Sequence, residues 1–208
     1  MNSNFKNRTL FSIISAPIVL FAIFFGNIYF NILLFIIMII GLYEIQKLKN
    51  LNTKIIIFLL FFYFLYSCLI LNNHSNGKHL IFLLLIITWL SDIGGYVFGK
   101  FYGGKKIGYI SPNKTYTGIF GSILFSQFSQ IYIYYFNLFS NENNLYKFIF
   151  IFTSCFFVII GDLVFSYIKR LNKIKDYSNI IPGHGGVLDR VDGMIFLTIF
   201  NYFYLKFI

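Results

Sequence analysis

Long apolar runs broken by short polar loops occupy most of the chain, and about seven of them approach the roughly 20 residues a helix needs to cross a hydrocarbon core of ~30 Å. They cover 9–26, 28–43, 55–71, 79–98, 117–136, 146–168 and 191–208. Each is predicted to be helical, because lipid offers open backbone N–H and C=O groups no other partner. The second run is the shortest, and the first two read either as two spans or as one re-entrant hairpin. No internal repeat is visible. The pattern predicts one all-α, polytopic integral membrane domain of about seven transmembrane helices.

The polar loops are asymmetric in charge. With the N-terminus placed in the cytoplasm, 14 of the 17 Lys and Arg residues fall on that side, and only Lys78, Lys147 and Lys206 on the other. Such a bias is the usual mark of cytoplasmic loops and sets the orientation. The loops on the opposite face, 72–78 and 137–144, are Asn-rich, and His74, His79 and Glu142 read there as surface residues. The N-terminal stretch 1–8 leads into an apolar run with no clear small-residue cleavage site, so it reads as a retained first span. The expected setting is a membrane of the bacterial inner-membrane type.

Composition sharpens this picture. Of 208 residues 58% are hydrophobic, 22% aromatic and 12% charged, which excludes an ordinary soluble domain and a disordered chain alike. The net charge of +10 has no soluble basic domain to carry it. It therefore points to anionic lipid and nucleotide phosphates and away from nucleic acid. Cys68 and Cys155 both sit in apolar runs and read as buried free thiols, not a disulfide.

Only seven residues are acidic. A carboxylate inside a transmembrane helix costs at least ~2.5 kcal/mol on insertion scales, so it normally has a partner or a task. Apart from Glu142, they are Glu44, Asp92, Asp162, Asp176, Asp189 and Asp192, all near the predicted cytoplasmic helix ends or in the polar run 166–192. That run mixes Lys169, Arg170, Lys173, Lys175 and Arg190 with Asp176, Asp189 and Asp192, and it is closed in by apolar blocks. Gly183, Gly185 and Gly186 around His184 leave backbone N–H groups able to approach anionic oxygens. Asp189 and Asp192 are three apart, so on a helix they share a face and suit divalent cations. Lys and Arg suit phosphates. Together these residue types fit transfer at a phosphorus centre.

A second polar motif runs from Ser91 and Asp92 through Gly94, Gly95, Gly99 and Lys100 to Lys105, Lys106, Ser111, Lys114 and Thr115. Its glycines leave room for close helix packing or for a nucleotide. Its lysines suit a triphosphate or, alternatively, acidic lipid headgroups. Asp162 lies one helical turn before Ser166; it reads as reaching the same cation as Asp189 or Asp192, with an ion pair to Lys169 or Arg170 as the alternative.

The run 166–192 resembles the signature of the phosphatidate cytidylyltransferases, integral membrane enzymes that join CTP to phosphatidic acid. Ser166, Lys169, Arg170, Lys175, Asp176, Pro182, His184, Gly185, Gly186, Asp189, Arg190 and Asp192 match it in type and spacing. The upstream motif is similar too, through Ser91, Asp92, Tyr96, Gly99, Ser111, Pro112, Lys114, Thr115 and Gly118. Thr117 stands where the family usually has Glu, and Gly193 where Ser is common. Glu44 resembles an early family Glu, and it reads equally as a carboxylate snorkelling from a helix end.

The resemblance implies a reaction of CTP with phosphatidate that yields CDP-diacylglycerol and pyrophosphate. It implies Mg²⁺ held by Asp162, Asp189 and Asp192, and phosphates bound by Lys169, Arg170, Lys175 and Arg190. His184 becomes a positioning donor, Asp176 part of the catalytic set, and Ser91, Asp92, Lys100, Ser111, Lys114, Thr115, Gly185 and Gly186 nucleotide contacts. A homodimer stays open. The rival readings are a CTP-dependent kinase of polyprenol-type alcohols, a transporter, and a non-catalytic membrane relative.

Overall fold

A computed structural model of the protein describes residues 3–25, 27–108, 111, 114–181, 183 and 185–206. Its helices are α1 (Ser3–Phe24), α2 (Asn27–Gln46), α3 (Leu51–Asn72), α4 (Gly77–Phe101), α5 (Tyr116–Ser126), a 3₁₀ turn (Gln127–Ser129), α6 (Gln130–Tyr135), α7 (Asn144–Leu171) and α8 (Leu188–Lys206). Among the described residues the only extended pairings are two isolated bridges, Lys106 with Thr115 and Ile181 with Gly185. The all-α expectation holds.

Several starts are fixed by short polar side chains in the loops. Asn50 accepts from Asn52 N at 3.0 Å, Thr115 from Gly118 N at 3.1 Å and Asn143 from Tyr146 N at 2.8 Å. Each satisfies a backbone donor that the first turn leaves unpaired.

Among the described residues four helices, α2, α3, α4 and α7, are long and apolar enough to cross a membrane. Among the described residues, Ile13–Phe24 of α1 form a shorter apolar stretch. α8 starts with Asp189, Arg190 and Asp192, which interrupt its apolar character. The run expected as one helix over 117–136 is instead α5, the 3₁₀ turn and α6 in succession. Ser126 donates to the carbonyl of Ile123 at 2.8 Å and Ser129 to that of Ser126 at 2.7 Å. Hydroxyls that bond back to their own turn compete with the α-helical ladder and favour this tightening.

The packed interior is formed by α2, α3, α4, α7 and α8, with Phe61, Phe64, Phe150 and Phe165 buried in it. A belt of exposed apolar side chains surrounds it, including Ile32 and Phe35 on α2, Phe58 and Leu59 on α3, and Phe152 and Phe156 on α7. This inverted surface suits a bundle solvated by lipid. Cys68 and Cys155 are free and buried, as expected.

Cross-links between loops define two ends. At one, Asn172 receives a hydrogen bond from Asn50 N and gives one to Thr53 Oγ1, tying the α7–α8 loop to the start of α3. At the other, Asn72 bonds Asn27, Lys78 bonds the Phe24 carbonyl, and His79 shares a 2.8 Å hydrogen bond with the Tyr132 hydroxyl. The described residues of every polar motif singled out above lie at the first end.

Candidate active site

The loop between α7 and α8 is shaped around two carboxylates of the protein itself. Asp189 Oδ2 accepts from Tyr177 N and Gly186 N, both at 2.9 Å, while Oδ1 accepts from Lys169 Nζ at 2.7 Å. This ion pair is buried, with 3% of the Asp189 side chain exposed. Glu44, on the last turn of α2, is fully buried and accepts from Ser178 Oγ at 2.6 Å, Val187 N at 2.9 Å and Leu188 N at 2.8 Å. It therefore caps α8 from another helix, where the unpaired N–H groups and the helix dipole favour negative charge. The snorkelling alternative for Glu44 is excluded by its burial.

The glycines make these contacts possible. A Cβ on Gly186 would lie 2.5 Å from Glu44 Oε1, and one on Gly185 would lie 2.9 Å from Asp189 Oδ2, with Gly185 also at φ +85°. Gly186 thus wraps the protein's own carboxylates, where the sequence suggested amides left for a phosphate. Tyr177 is sealed beneath Lys169, its ring 5.5 Å from Nζ, and burial followed by the charges of Asp189, Asp192 and Glu44 pushes its phenol pKa far up.

The second assembly joins the two sequence motifs. Lys114, from the α4–α5 loop, forms an ion pair with Asp162 on α7. That loop is held as a hairpin by Ile107 N to Lys114 O at 3.0 Å and Tyr116 N to Lys105 O at 3.1 Å. Thr117, at the position where Glu is usual, donates to the Gly103 carbonyl and shares a 2.9 Å hydrogen bond with Thr115 Oγ1. A polar side chain there pins the hairpin to α5. Beneath it lies a cavity of about 240 Å³ lined by Ser91, Asp92, Tyr96, Lys114, Thr115 and Asp162, among others. Burial pulls the Lys114 pKa down, and the charges of Asp192 and Asp92 oppose that pull.

The backbones under this cavity touch. A Cβ on Gly94 would lie 2.3 Å from the Gly121 carbonyl oxygen, and one on Gly121 would lie 2.5 Å from that of Gly94. Ser122 donates to the Ser91 carbonyl at 2.7 Å, which fixes the register of α4 against α5. Gly161 does the same for α7 and α8: a Cβ there would lie 2.7 Å from the Asp192 carbonyl oxygen.

The structure thus divides the expected residues. Asp92, Asp162 and Lys114 gather at the cavity with Ser91 and Thr115, and Asp192 is close enough to act on the Lys114 charge. Asp162 pairs with Lys114, not with Lys169 or Arg170. Asp189 and Lys169 neutralise each other and hold the loop. Lys100 leans over the Tyr96 ring at 5.6 Å, and Ser111 is buried in the hairpin, its carbonyl accepting from Lys114 N. Arg170 is half-buried on the last turn of α7, Lys175 and Asp176 are exposed in the loop, and Arg190 is exposed on the first turn of α8. Pro112, Pro182 and His184 lie outside the described residues.

The donor set can be tested against Mg²⁺. Asp162 pairs with the Lys114 ammonium, Asp92 lines the same cavity, and the charges of Asp92 and Asp192 act on that ammonium. Among the described residues no three His, Cys, Asp or Glu side chains form a ready cage. Mg²⁺ ordinarily takes one or two carboxylates plus waters and substrate phosphates, so this open set fits it. Asp189, with both oxygens engaged, fits less well.

Comparison with known proteins bears on the whole assembly. The model of the cytidylyltransferase family matches residues 46–208. Phosphatidate cytidylyltransferases of Staphylococcus haemolyticus (strain JCSC1435) and Staphylococcus aureus (strain COL) are each 39% identical over 126 residues, which is 60% of this chain and 48% of theirs. That of Staphylococcus epidermidis (strain ATCC 35984 / DSM 28319 / BCRC 17069 / CCUG 31568 / BM 3577 / RP62A) is 40% identical over the same length. The chain spans about half the length of the curated relatives it matches.

Proposed function

The chain belongs to the cytidylyltransferase family, and from that premise we propose that it is a phosphatidate cytidylyltransferase, converting CTP and phosphatidate to CDP-diacylglycerol and pyrophosphate. The observation that carries this reading is the Lys114–Asp162 ion pair over the polar cavity, with Asp92 and Asp192 beside it. It unites a cation for phosphate with carboxylates for a metal at one helix end. The cavity, about 240 Å³, is below the ~300–1,000 Å³ of sites that enclose a whole ligand, so it suits part of a nucleotide.

In the proposed reaction an oxygen of the lipid phosphate forms a bond to the α-phosphorus of CTP, and the bond from that phosphorus to the α–β bridging oxygen breaks. Pyrophosphate leaves with that electron pair. A phosphate monoester has its second pKa near ~6, so the nucleophile arrives ionised and needs no strong base. Lys114 and Arg190 bind phosphate oxygens, and the Glu44 and Asp189 clamps hold the start of α8 so that Arg190 and Asp192 keep their aim. Mg²⁺, held by Asp162 and Asp192 with Asp92 adjacent, would neutralise the triphosphate and the leaving group.

The same reading sets all seven predicted runs across the bilayer, with the motif end cytoplasmic, where CTP is found. α2, at 20 residues, measures roughly 30 Å, enough to cross by itself, which supports two spans over a re-entrant hairpin. The pieces from α5 to α6 form the fifth.

Two labels on CTP test the reaction. Cytidine label should enter lipid while γ-phosphate label leaves entirely as pyrophosphate. A CTP-dependent lipid kinase gives the reverse, because the terminal phosphate goes to the lipid and CDP departs. Recovery of γ-label in the lipid fraction overturns the reading.

A further inference from the structure

The α4–α5 hairpin carries two lysines that the proposed reaction does not use. Lys105 and Lys106 are exposed and stay outside the polar cavity. Among the described residues neither forms a salt bridge, and the chain holds no Asp or Glu between Asp92 and Glu142. Aromatic rings flank them: Phe101 is 79% exposed, Tyr102 72%, Tyr116 57% and Phe120 58%. Tyr102 and Phe120 both meet the Phe98 ring, at centroid distances of 5.2 and 6.3 Å. Tyr116 N donates to the Lys105 carbonyl, which sets that lysine beside Tyr116.

Helix length fixes the depth of this patch. α4 has 25 residues, about 37 Å, against a hydrocarbon core of ~30 Å. The excess carries its last residues, and the hairpin beyond them, to the level of the headgroups. Amphipathic rings favour that level, and lysines there are drawn to anionic lipid.

We propose that the patch of Phe101, Tyr102, Lys105, Lys106, Tyr116 and Phe120 docks on anionic phospholipid headgroups of the surrounding leaflet that are not the substrate, and so holds Lys114 over the polar cavity. Charge and composition together select that occupant. Cations without a carboxylate partner, set beside exposed rings, complement an interface that is negative on one side and apolar on the other. The link to Lys114 is made of backbone: Lys106 pairs with Thr115, and Ile107 N donates to the Lys114 carbonyl at 3.0 Å. Lipid that fixes the segment 105–107 therefore fixes Lys114, and anionic lipid tunes the affinity for CTP. That effect on CTP rests on the transferase reading, whereas the docking surface does not.

The test uses the full-length protein in nanodiscs free of phosphatidate. With the single Trp removed by Trp89→Phe, Tyr102→Trp reports contact with bromine-labelled phosphatidylglycerol or phosphatidylcholine through fluorescence quenching. Phosphatidylglycerol should quench preferentially, with an affinity ratio of about fivefold for each lysine at the surface. About 1 M salt, where the Debye length is ~3 Å, should abolish the preference. Lys105→Gln with Lys106→Gln should remove it, and Lys105→Arg with Lys106→Arg should keep it. Lys47→Gln, on another loop of the same end, should leave it intact. Equal quenching by the two lipids, or a preference that survives the paired Gln variant, overturns the proposal. With a fixed fraction of phosphatidate added, the KM for CTP should fall as the phosphatidylglycerol fraction rises, and stay flat in the paired Gln variant. A KM indifferent to lipid charge in the unmodified protein overturns the link to Lys114. A paired Gln variant that raises KM equally in neutral and anionic discs makes the lysines nucleotide ligands and overturns the proposal. Preferential quenching without cytidine in lipid removes the transferase reading and leaves the surface standing. Cytidine transfer without preferential quenching does the reverse.

Discussion

Glu44 serves three donors 134 to 144 residues away in the chain. Replacing it by Gln presents an amide N–H₂ to one or more N–H groups and removes the charge that caps α8. Leaving such buried groups mismatched costs about 1–3 kcal/mol, so Glu44→Gln should lower the thermal unfolding midpoint in detergent and cytidine transfer together. An unchanged midpoint with normal turnover would show the clamp to be dispensable. The glycine-rich loop was legible as an amide cradle for oxyanions, but its oxyanions are Glu44 and Asp189, and no local pattern connects Glu44 to Gly186. Lys114 carries a second prediction. Burial lowers its pKa, so it loses charge at a lower pH than an ordinary lysine. In the proposed reaction the charged form binds the triphosphate, so CTP affinity should be full below the lowered pKa and fall as pH rises through it. Lys114→Arg keeps its charge throughout and should flatten this alkaline limb in the KM for CTP. An identical limb in the variant would assign it to another group.

At the scale of elements, the site depends on how closely helices approach. α4 and α5 touch through Gly94 and Gly121, and the Ser122–Ser91 hydrogen bond locks their register. Gly121→Ala puts a methyl 2.5 Å from the Gly94 carbonyl oxygen, which forces the helices apart and shifts Thr115 and Lys114 against Asp92. A displacement of about 1 Å in a positioned site costs on the order of 100-fold in rate, so kcat should fall steeply while α-helical circular dichroism persists. A fall below tenfold would mean the seam is tolerant. The sequence left Gly94, Gly95 and Gly99 open between helix packing and nucleotide contact, and Gly94 settles as packing. Helix ends were read closely from the apolar runs, whereas the break at Gln127–Ser129 was not. Its cause is a choice by Ser126 and Ser129 between solvent-like partners and their own carbonyls, which periodicity does not record.

For the whole molecule, the interhelical links put the ends of α2, α4 and α7 and the starts of α3, α5 and α8 on one side. This is the parity that alternating spans require, and it was legible because each apolar run is bounded by polar loops of opposite composition. What parity leaves open is which side faces the cytoplasm, and there the charge asymmetry favours the motif end. Lys47, Lys49, Lys54, Lys173 and Lys175 crowd the motif end, while the far loops hold Asn141, Asn143 and Asn144 with few cations. Translocating the motif end would carry most of the 17 basic residues across the membrane, against the bias that governs short loops. Asn179 and Asn141 are exposed at opposite ends, and the two native cysteines are buried, so single introduced cysteines report their own side. A membrane-impermeant maleimide should label Asn141→Cys in right-side-out spheroplasts and Asn179→Cys only in inverted vesicles. The reverse pattern would turn the active site outward, away from cytosolic CTP, and the proposed reaction would fall with the orientation.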